Sequence, residues 1–140
     1  MTRIEWQDPK QRPKTKDPNL QVDVVYLGQM SSTLSQRDLY RLLNEAGERG
    51  ECVVVATVAH TRGSTPQRRG AKMLFFESGK IAGTVGGGCI EAEVWATAKE
   101  TMRSGKSELH HYSLTADEAS EEGMVCGGTM DIFVEVFGGE

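Results

Sequence analysis

Long apolar runs are absent from this sequence, and their absence excludes one broad class of protein. No apolar stretch approaches the ~20 residues that a membrane-spanning helix needs. The N-terminus, MTRIEWQDPKQRPK, also lacks the apolar core of a secretory signal peptide. The net charge of −4 argues against bulk binding of nucleic acid or of an anionic membrane. We therefore expect a cytoplasmic protein that binds neither nucleic acid nor a membrane.

Cysteine is scarce, and the three cysteines cannot all pair within one chain. In a reducing compartment they are expected as free thiols, and Cys52, which begins a buried strand, is expected in the core. The cysteines and histidines show neither C-x-x-C nor H-x-x-x-H spacing, which are typical of zinc sites. His110 and His111 are neighbours on a predicted strand, so their side chains point to opposite faces. The sequence therefore predicts no metal site built by the protein.

The 140 residues are enough for a single domain with a core. Residues 1–32 are interpreted as an N-terminal arm, largely disordered or loosely packed, because residues 1–19 are polar, charged and interrupted by three prolines. Within this arm LQVDVVYLG (20–28) has strand character but no obvious place in the fold. Residues 33–140 are predicted to form the folded domain.

A first helix is indicated after Ser35, which resembles the start of a capping box with Asp38 three positions later. The apolar residues that follow have the i, i+3, i+4, i+7 spacing of an amphipathic helix. They are Leu39, Leu42, Leu43 and Ala46. Gly47 or Gly50 is expected to end this helix.

A second helix is predicted from about Ile90 to Arg103. Acidic residues in its first turn, Glu91 and Glu93, and basic residues near its end match the helix dipole. Gly105 is expected to stop it, and Trp95 is interpreted as part of its core-facing stripe.

The remaining periodicity is that of strands. CVVVATVA (52–59) is apolar on both faces, which is typical of a central strand covered on both sides. AKMLFFE (71–77) and KIAGTV (80–85) flank Ser78-Gly79, a two-residue hairpin signal. SELHHYSL (107–114) and TMDIFVEVF (129–137) are also predicted strands. The sequence therefore predicts an α+β fold: a single domain with a mixed β-sheet and two main helices.

One pattern occurs twice. Residues 83–91 are GTVGGGCIE and residues 123–131 are GMVCGGTMD, and each stretch carries one cysteine. In the first stretch the glycines separate a strand from a helix start, where consecutive amides form an anion-binding concavity and a thiolate is favoured at Cys89. Neither the dinucleotide nor the P-loop fingerprint is met. The alternative interpretation is a tight strand-to-helix turn with a small buried cysteine.

The second glycine turn precedes a strand, so Cys126 has no helix dipole to activate it. Taken alone, Cys126 is better interpreted as a structural cysteine. The repetition suggests instead that the two turns meet in space and present both thiols to one ligand. This hypothesis is based on the pattern and not on a demonstrated contact.

The segment HTRGSTPQRRGAK (60–72) forms a cationic island in an acidic protein. No acidic residue occurs from Cys52 to Phe76. Arginine side chains in the segment suit phosphate or carboxylate bidentately, and neighbouring hydroxyls add donors. The segment is therefore a candidate anion-binding loop; the alternative is an ordinary solvated basic loop.

Three motifs together resemble a known family. AHTRGSTPQRRGAKML, GTVGGGCIEAEV and MVCGGTMDIFVE, in this order and spacing, resemble the N-terminal domain of the XdhC/CoxI family, over roughly residues 38–137. The resemblance implies a role in maturing molybdenum hydroxylases such as xanthine dehydrogenase and CO dehydrogenase. Family members hold the molybdenum cofactor (molybdopterin) transiently, protect its sulfurated form and help to load it, while a cysteine desulfurase supplies the sulfur.

The resemblance also implies a set of cofactor-binding residues, with no catalytic residue and no metal ligand. These residues match the family's motif cysteines, its glycine turns and its polar loop. They are Cys89 and Cys126; Gly86, Gly87, Gly88, Gly127 and Gly128; and Ser64, Arg68, Arg69 and Lys72.

The partners implied are an apo molybdenum hydroxylase and the cysteine desulfurase. Many family members continue into a Rossmann-like C-terminal domain, whereas this sequence stops at Glu140. We therefore expect either a separately encoded Rossmann-like partner or a homo-oligomer.

Three hypotheses remain open. The first is an accessory protein, rather than an enzyme, that binds molybdenum cofactor and delivers it to a molybdenum hydroxylase. The second is a thiol redox or sulfur-transfer protein that uses Cys89 and Cys126. The third is a structural or regulatory domain that binds only protein.

Overall fold

The computed structural model of the chain describes residues 34–114 and 127–139. The predicted arm, with LQVDVVYLG, lies outside the described residues, and so does Cys126. The elements in chain order are α1 (Gln36–Glu48), β1 (Val53–Arg62), β2 (Lys72–Phe76), β3 (Ile81–Gly83), α2 (Gly88–Ser104), β4 (Glu108–Ser113) and β5 (Thr129–Phe137). No helix in the described ranges is long and apolar enough to cross a membrane.

The five strands form one sheet in the order β3-β2-β1-β5-β4. The predicted α+β class with two helices is confirmed. All four strand pairings are antiparallel, however, whereas the sequence had suggested a mixed sheet. The strand–helix–strand segment β3-α2-β4 does place two strands in the same direction. Three other strands lie between them, so no parallel pair forms.

Helix α1 begins with the capping box that the sequence predicted. The backbone N–H of Ser35 donates to the Asp38 carboxylate at 3.1 Å, and the N–H of Asp38 donates to Ser35 Oγ at 3.3 Å. Leu39 and Ala46 are buried, and the other two apolar residues of the predicted stripe pack partly buried beside them. The helix therefore forms because its caps and its apolar face agree.

Strand β1 is the central strand, as predicted, and both of its faces are buried. Val54, Ala56 and Val58 belong to the core beneath α2. Val53 and Val55 belong to a second cluster beneath α1. The continuous apolar run is thus explained by one helix on each side of the sheet.

Helix α2 covers one entire face of the sheet's centre and ends where predicted. Trp95 packs against Phe75 with ring centroids 5.4 Å apart, which supports its assignment to the core stripe. Gly105 takes the left-handed conformation at φ +69°, and its N–H donates to the Thr101 carbonyl at 2.8 Å. A glycine C-cap of this kind satisfies a carbonyl at the helix end.

Two glycines of the β2–β3 hairpin share a backbone conformation but differ in their surroundings. Gly79 in the turn has φ +87°, and a Cβ atom added there would meet nothing within 4 Å. Gly83 has φ +83°, but its added Cβ would overlap the Lys72 carbonyl oxygen and lie 3.2 Å from both δ-methyl carbons of Leu39. Gly83 is therefore where α1 approaches the hairpin most closely.

This pair allows the cost of the clash to be separated from the cost of the backbone conformation. We expect Gly79→Ala to lose about 1–2 kcal/mol of unfolding free energy, because a left-handed residue with a Cβ is strained. Gly83→Ala should lose a further ~1–3 kcal/mol from overpacking. Urea unfolding of both variants measures the difference; equal losses would contradict the close packing of α1 on β3.

Candidate functional site

The loop that joins β1 to β2, residues 63–71, packs against the second glycine turn. A Cβ atom added to Gly128 would lie 2.6 Å from the Arg62 carbonyl oxygen and 2.8 Å from Thr65 Cγ2, and it would overlap the Ser64 carbonyl oxygen. From the other side, a Cβ on Gly63 would lie 3.1 Å from the Cα of Gly128. Only glycine permits backbones to approach this closely.

The same loop packs against the first glycine turn. A Cβ atom on Gly86 would lie 2.7 Å from Cγ of Pro66 and 3.1 Å from Cγ2 of Ile90. Pro66 therefore lies against the turn that precedes α2. The described parts of both glycine turns contact one short stretch of the loop, residues 62–66.

Several hydrogen bonds hold this loop in place. The Gly70 N–H donates to the Val58 carbonyl at 2.7 Å, and the Val58 N–H donates to the Ala71 carbonyl at 2.9 Å. The Gln36 side chain donates to the Gly70 carbonyl at 2.6 Å, which connects the loop to the start of α1. The loop is thus positioned by the central strand, by α1 and by both glycine turns.

The side chains of the predicted polar loop point largely into solvent. Ser64, Arg68 and Arg69 are all exposed, as is Arg62 at the end of β1. Guanidinium groups bind phosphate and carboxylate through paired hydrogen bonds. This end of the sheet therefore offers cations and a hydroxyl on a backbone that is fixed by its contacts with the glycine turns.

A carboxylate already lies at the start of α2. The N–H of Gly87, the N-cap residue, donates to Glu91 Oε1 at 3.0 Å. The Thr84 hydroxyl donates to the same oxygen through a short hydrogen bond, and the Gly86 N–H donates to Thr84 Oγ1 at 3.3 Å. The first glycine turn is therefore closed on itself by Thr84 and Glu91.

This network modifies the expected anion-binding concavity. Two of its consecutive amides, those of Gly86 and Gly87, donate within the chain, and Glu91 supplies negative charge at the positive end of the helix dipole. An anionic ligand at this place would have to displace that carboxylate or bind through the loop arginines. The sequence showed Glu91 in the first turn, but its reach back to Gly87 depends on the conformation of the glycine turn.

Lys72 lies apart from the glycine turns. Its ammonium donates to Thr57 Oγ1 at 2.9 Å and lies 5.9 Å from the centre of the Tyr40 ring, on the α1 side of the sheet. Helix α2 covers the opposite side, where Met73, the next residue of the strand, is buried. Strand alternation thus separates Lys72 from the start of α2.

The three cysteines occupy different parts of the chain. Cys89 is the second residue of α2, at the predicted helix start, although its side chain is outside the described part of the structure. Cys126 lies outside the described residues altogether. Cys52 is half-buried immediately before β1; burial is the main cause that raises the pKa of its thiol, and the carboxylates of Glu77 and Glu51 raise it further. Cys52 is therefore expected to remain a neutral thiol.

A side-chain cluster that the sequence did not reveal crosses three strands. Asp131 pairs in register with His60 and His111, and its carboxylate lies 2.6 Å from His111 Nδ1 and 3.8 Å from His60 Nδ1. His110 lies on the other face beside Tyr112, as the strand pattern predicted. Within the described ranges, no group of three or more His, Cys, Asp or Glu side chains is arranged to hold a metal ion.

The adjacent glycines of the second turn provide a direct test of the loop contact. An added Cβ on Gly127 would meet nothing within 4 Å, and neither Gly127 nor Gly128 has a positive φ. We expect Gly127→Ala to change stability by less than about 0.5 kcal/mol. Gly128→Ala should cost at least about 2 kcal/mol, because backbone atoms cannot move aside as a flexible side chain can. Thermal unfolding measures both, and equal stability would contradict the loop–turn contact.

Comparison with known proteins follows the same motifs. The XdhC and CoxI family profile matches residues 46–113. A xanthine dehydrogenase from Bacillus halodurans has a similar crystal structure, with a TM-score of 0.56 and 28% identity over 69% of this chain and 29% of that one.

Curated relatives match only a part of their own length. The chain is 37% identical over 84 residues to the uncharacterized protein YqeB of Escherichia coli, which is 60% of this chain and 15% of that protein. It is 35% identical to the molybdenum cofactor insertion chaperone PaoD of Escherichia coli (57% and 25%) and 28% identical to a probable xanthine dehydrogenase subunit of Bacillus subtilis (70% and 30%). The chain therefore spans between 15% and 30% of these relatives.

The family profile covers the loop and the first glycine turn, and both PaoD and the Bacillus structure share sequence and fold with the described domain. The resemblance drawn from the three motifs is confirmed: the chain belongs to the XdhC and CoxI family.

Proposed function

We propose that this chain is a cytoplasmic accessory protein that binds molybdenum cofactor as cargo and delivers it to a molybdenum hydroxylase such as xanthine dehydrogenase or CO dehydrogenase. Family membership supports the proposal, as do two relatives that are named for molybdenum cofactor insertion and for xanthine dehydrogenase. In this role the chain is a carrier rather than an enzyme. Its partners are the apo hydroxylase, a cysteine desulfurase, and either a Rossmann-like domain or further copies of the chain.

The main structural support is the convergence of both glycine turns on one loop. The loop stretch 62–66 contacts Gly128 of the second glycine turn and Gly86 of the first. A ligand held by this loop would therefore lie close to both of the segments that bear the motif cysteines. Two separate turns on different surfaces would not support a single binding site.

The chemistry of the cargo suits these residues. Molybdopterin carries a phosphate and a metal bound to sulfur. The exposed guanidiniums of Arg68 and Arg69, with the hydroxyl of Ser64, would bind the phosphate. Cys89 and Cys126 would face the metal or carry sulfur transiently, since soft thiolate ligands suit such a centre. Lys72 is not needed at this site, because its ammonium lies on the α1 side of the sheet.

The glycine turns would act mainly by shape. Gly86 and Gly128 let the loop approach, whereas the amides of Gly86 and Gly87 are engaged by Thr84 and Glu91. The cofactor phosphate would therefore be recognised by side chains of the loop. This arrangement differs from a phosphate loop, in which the backbone amides themselves face the ligand.

The proposal predicts selective loss of cofactor binding in the cysteine and arginine variants. We expect Cys89→Ala and Cys126→Ala to weaken binding of isolated molybdenum cofactor at least about tenfold, because even outer-shell changes at metal sites often cost that much. Arg68→Ala should weaken it about tenfold or more, as the loss of a charge-assisted contact worth ~1.5 kcal/mol does. Cys52→Ala, at the opposite end of β1 from the loop, is the matched control. Anaerobic equilibrium dialysis with molybdenum quantification gives each Kd.

The outcomes separate the hypotheses. No binding by the wild-type chain, even with a Rossmann-like partner present, would refute a cofactor-holding role. Unchanged binding in both cysteine variants would remove only the thiol ligands. A fast, low-pH alkylation of Cys89 without any cofactor binding would favour the sulfur-transfer alternative.

Glu91 supplies a second prediction about the same site. Glu91→Gln keeps the oxygen that accepts from Gly87 but removes its charge, so we expect cofactor affinity to rise about two- to fivefold, the equivalent of ~0.3–1 kcal/mol at a helix start. Glu93→Gln removes the same charge from an exposed position of α2 and should change nothing. If both variants show the same affinity in the dialysis assay, Glu91 does not oppose the anion.

A further inference from the structure

The sheet face on the α1 side is covered over only part of its width. Helix α1 packs on β1, β2 and β3 through a buried cluster. The neighbouring strands β5 and β4 turn alternate residues to the same side, and we call these residues the open face. The open face consists of Leu109, His111, Asp131, Phe133, Glu135 and Phe137.

The exposed apolar side chains concentrate at this place. Among the described residues, the large hydrophobic side chains that are exposed are Tyr40 at 55%, Leu109 at 60% and Phe137 at 42%. Leu109 and Phe137 belong to the open face, and Tyr40 borders it across a groove that it lines together with Glu135 and Phe137. Exposed apolar side chains gathered on one surface indicate that something covers it.

The sequence before α1 contains a segment suited to cover an apolar surface. In LQVDVVYLG (20–28), Leu20, Val22, Val24 and Tyr26 alternate with Gln21 and Asp23. In an extended chain the first set lies on one side and the second set on the other. The segment thus offers one apolar side and one polar side.

The connection is long enough. Six residues, 28–33, separate the segment's core from Leu34, and at about 3.3 Å per residue they reach about 20 Å. Strands lie about 4.8 Å apart, so β4 is about 10 Å from β1. Because Gln36 at the start of α1 already contacts Gly70 beside β1, the open face is within reach.

We propose that residues 20–28 lie over the open face and place Leu20, Val22, Val24 and Tyr26 against Leu109, Phe133 and Phe137. The segment then forms the second half of the layer that α1 begins. This inference does not depend on cofactor binding. It assigns the segment with strand character a structural role as an intramolecular cover.

The test compares matched substitutions in the full chain by hydrogen–deuterium exchange. In the wild type we expect the amides of residues 20–28 to exchange at least tenfold more slowly than in a free peptide of the same sequence. Val24→Lys should remove this protection and raise binding of a hydrophobic dye. Gln21→Lys introduces the same charge on the polar side and should leave both measurements unchanged.

A reciprocal variant tests the docking surface itself. Leu109→Lys changes an already exposed residue, so the fold should survive, but protection of residues 20–28 should fall. Exchange of residues 20–28 at the free-peptide rate in the wild type would overturn the proposal. Unchanged protection in Leu109→Lys would also overturn it. Protection that disappears on dilution, together with a dimer mass by light scattering, would assign the face to a second copy and overturn the intramolecular cover.

Discussion

The approach of the Gly128 backbone to the loop that follows β1 is the contact on which the candidate site depends. At this position a single methyl group would overlap carbonyl oxygens of the loop. The loop in turn places Pro66 against Gly86, at the entrance to α2. One close contact between backbones therefore fixes three segments that are far apart in the chain, and the exposed arginines lie on the segment in the middle.

The two glycine turns, so similar in sequence, have different physical tasks. The first must let Pro66 approach and must also begin a helix, and its amides are satisfied by Thr84 and Glu91. The second begins a strand and gives space to the loop backbone. Their shared pattern reflects a shared need for close approach, since in both turns a glycine faces the same loop.

The described domain has a well-covered face and a partly covered face. Under α2 the core is continuous from β2 to β4, with Tyr112 of β4 bonded to Thr97 of the helix. Under α1 the core ends at β1, and the sheet continues with charged and aromatic residues. The asymmetry arises because α1 has 13 residues and a narrow apolar stripe that spans three strands of five.

Local sequence patterns were enough to predict the elements and the family. The Ser35 capping box, the apolar run of β1, the Ser78-Gly79 hairpin and the Gly105 cap depend on neighbours within a few residues, and each was predicted correctly. Three other features became visible only in the folded chain: the sheet is antiparallel, Lys72 faces away from α2, and Glu91 closes the first glycine turn. These features depend on which distant strands pair and on the backbone path of the glycines, and a single sequence does not encode either in any local pattern.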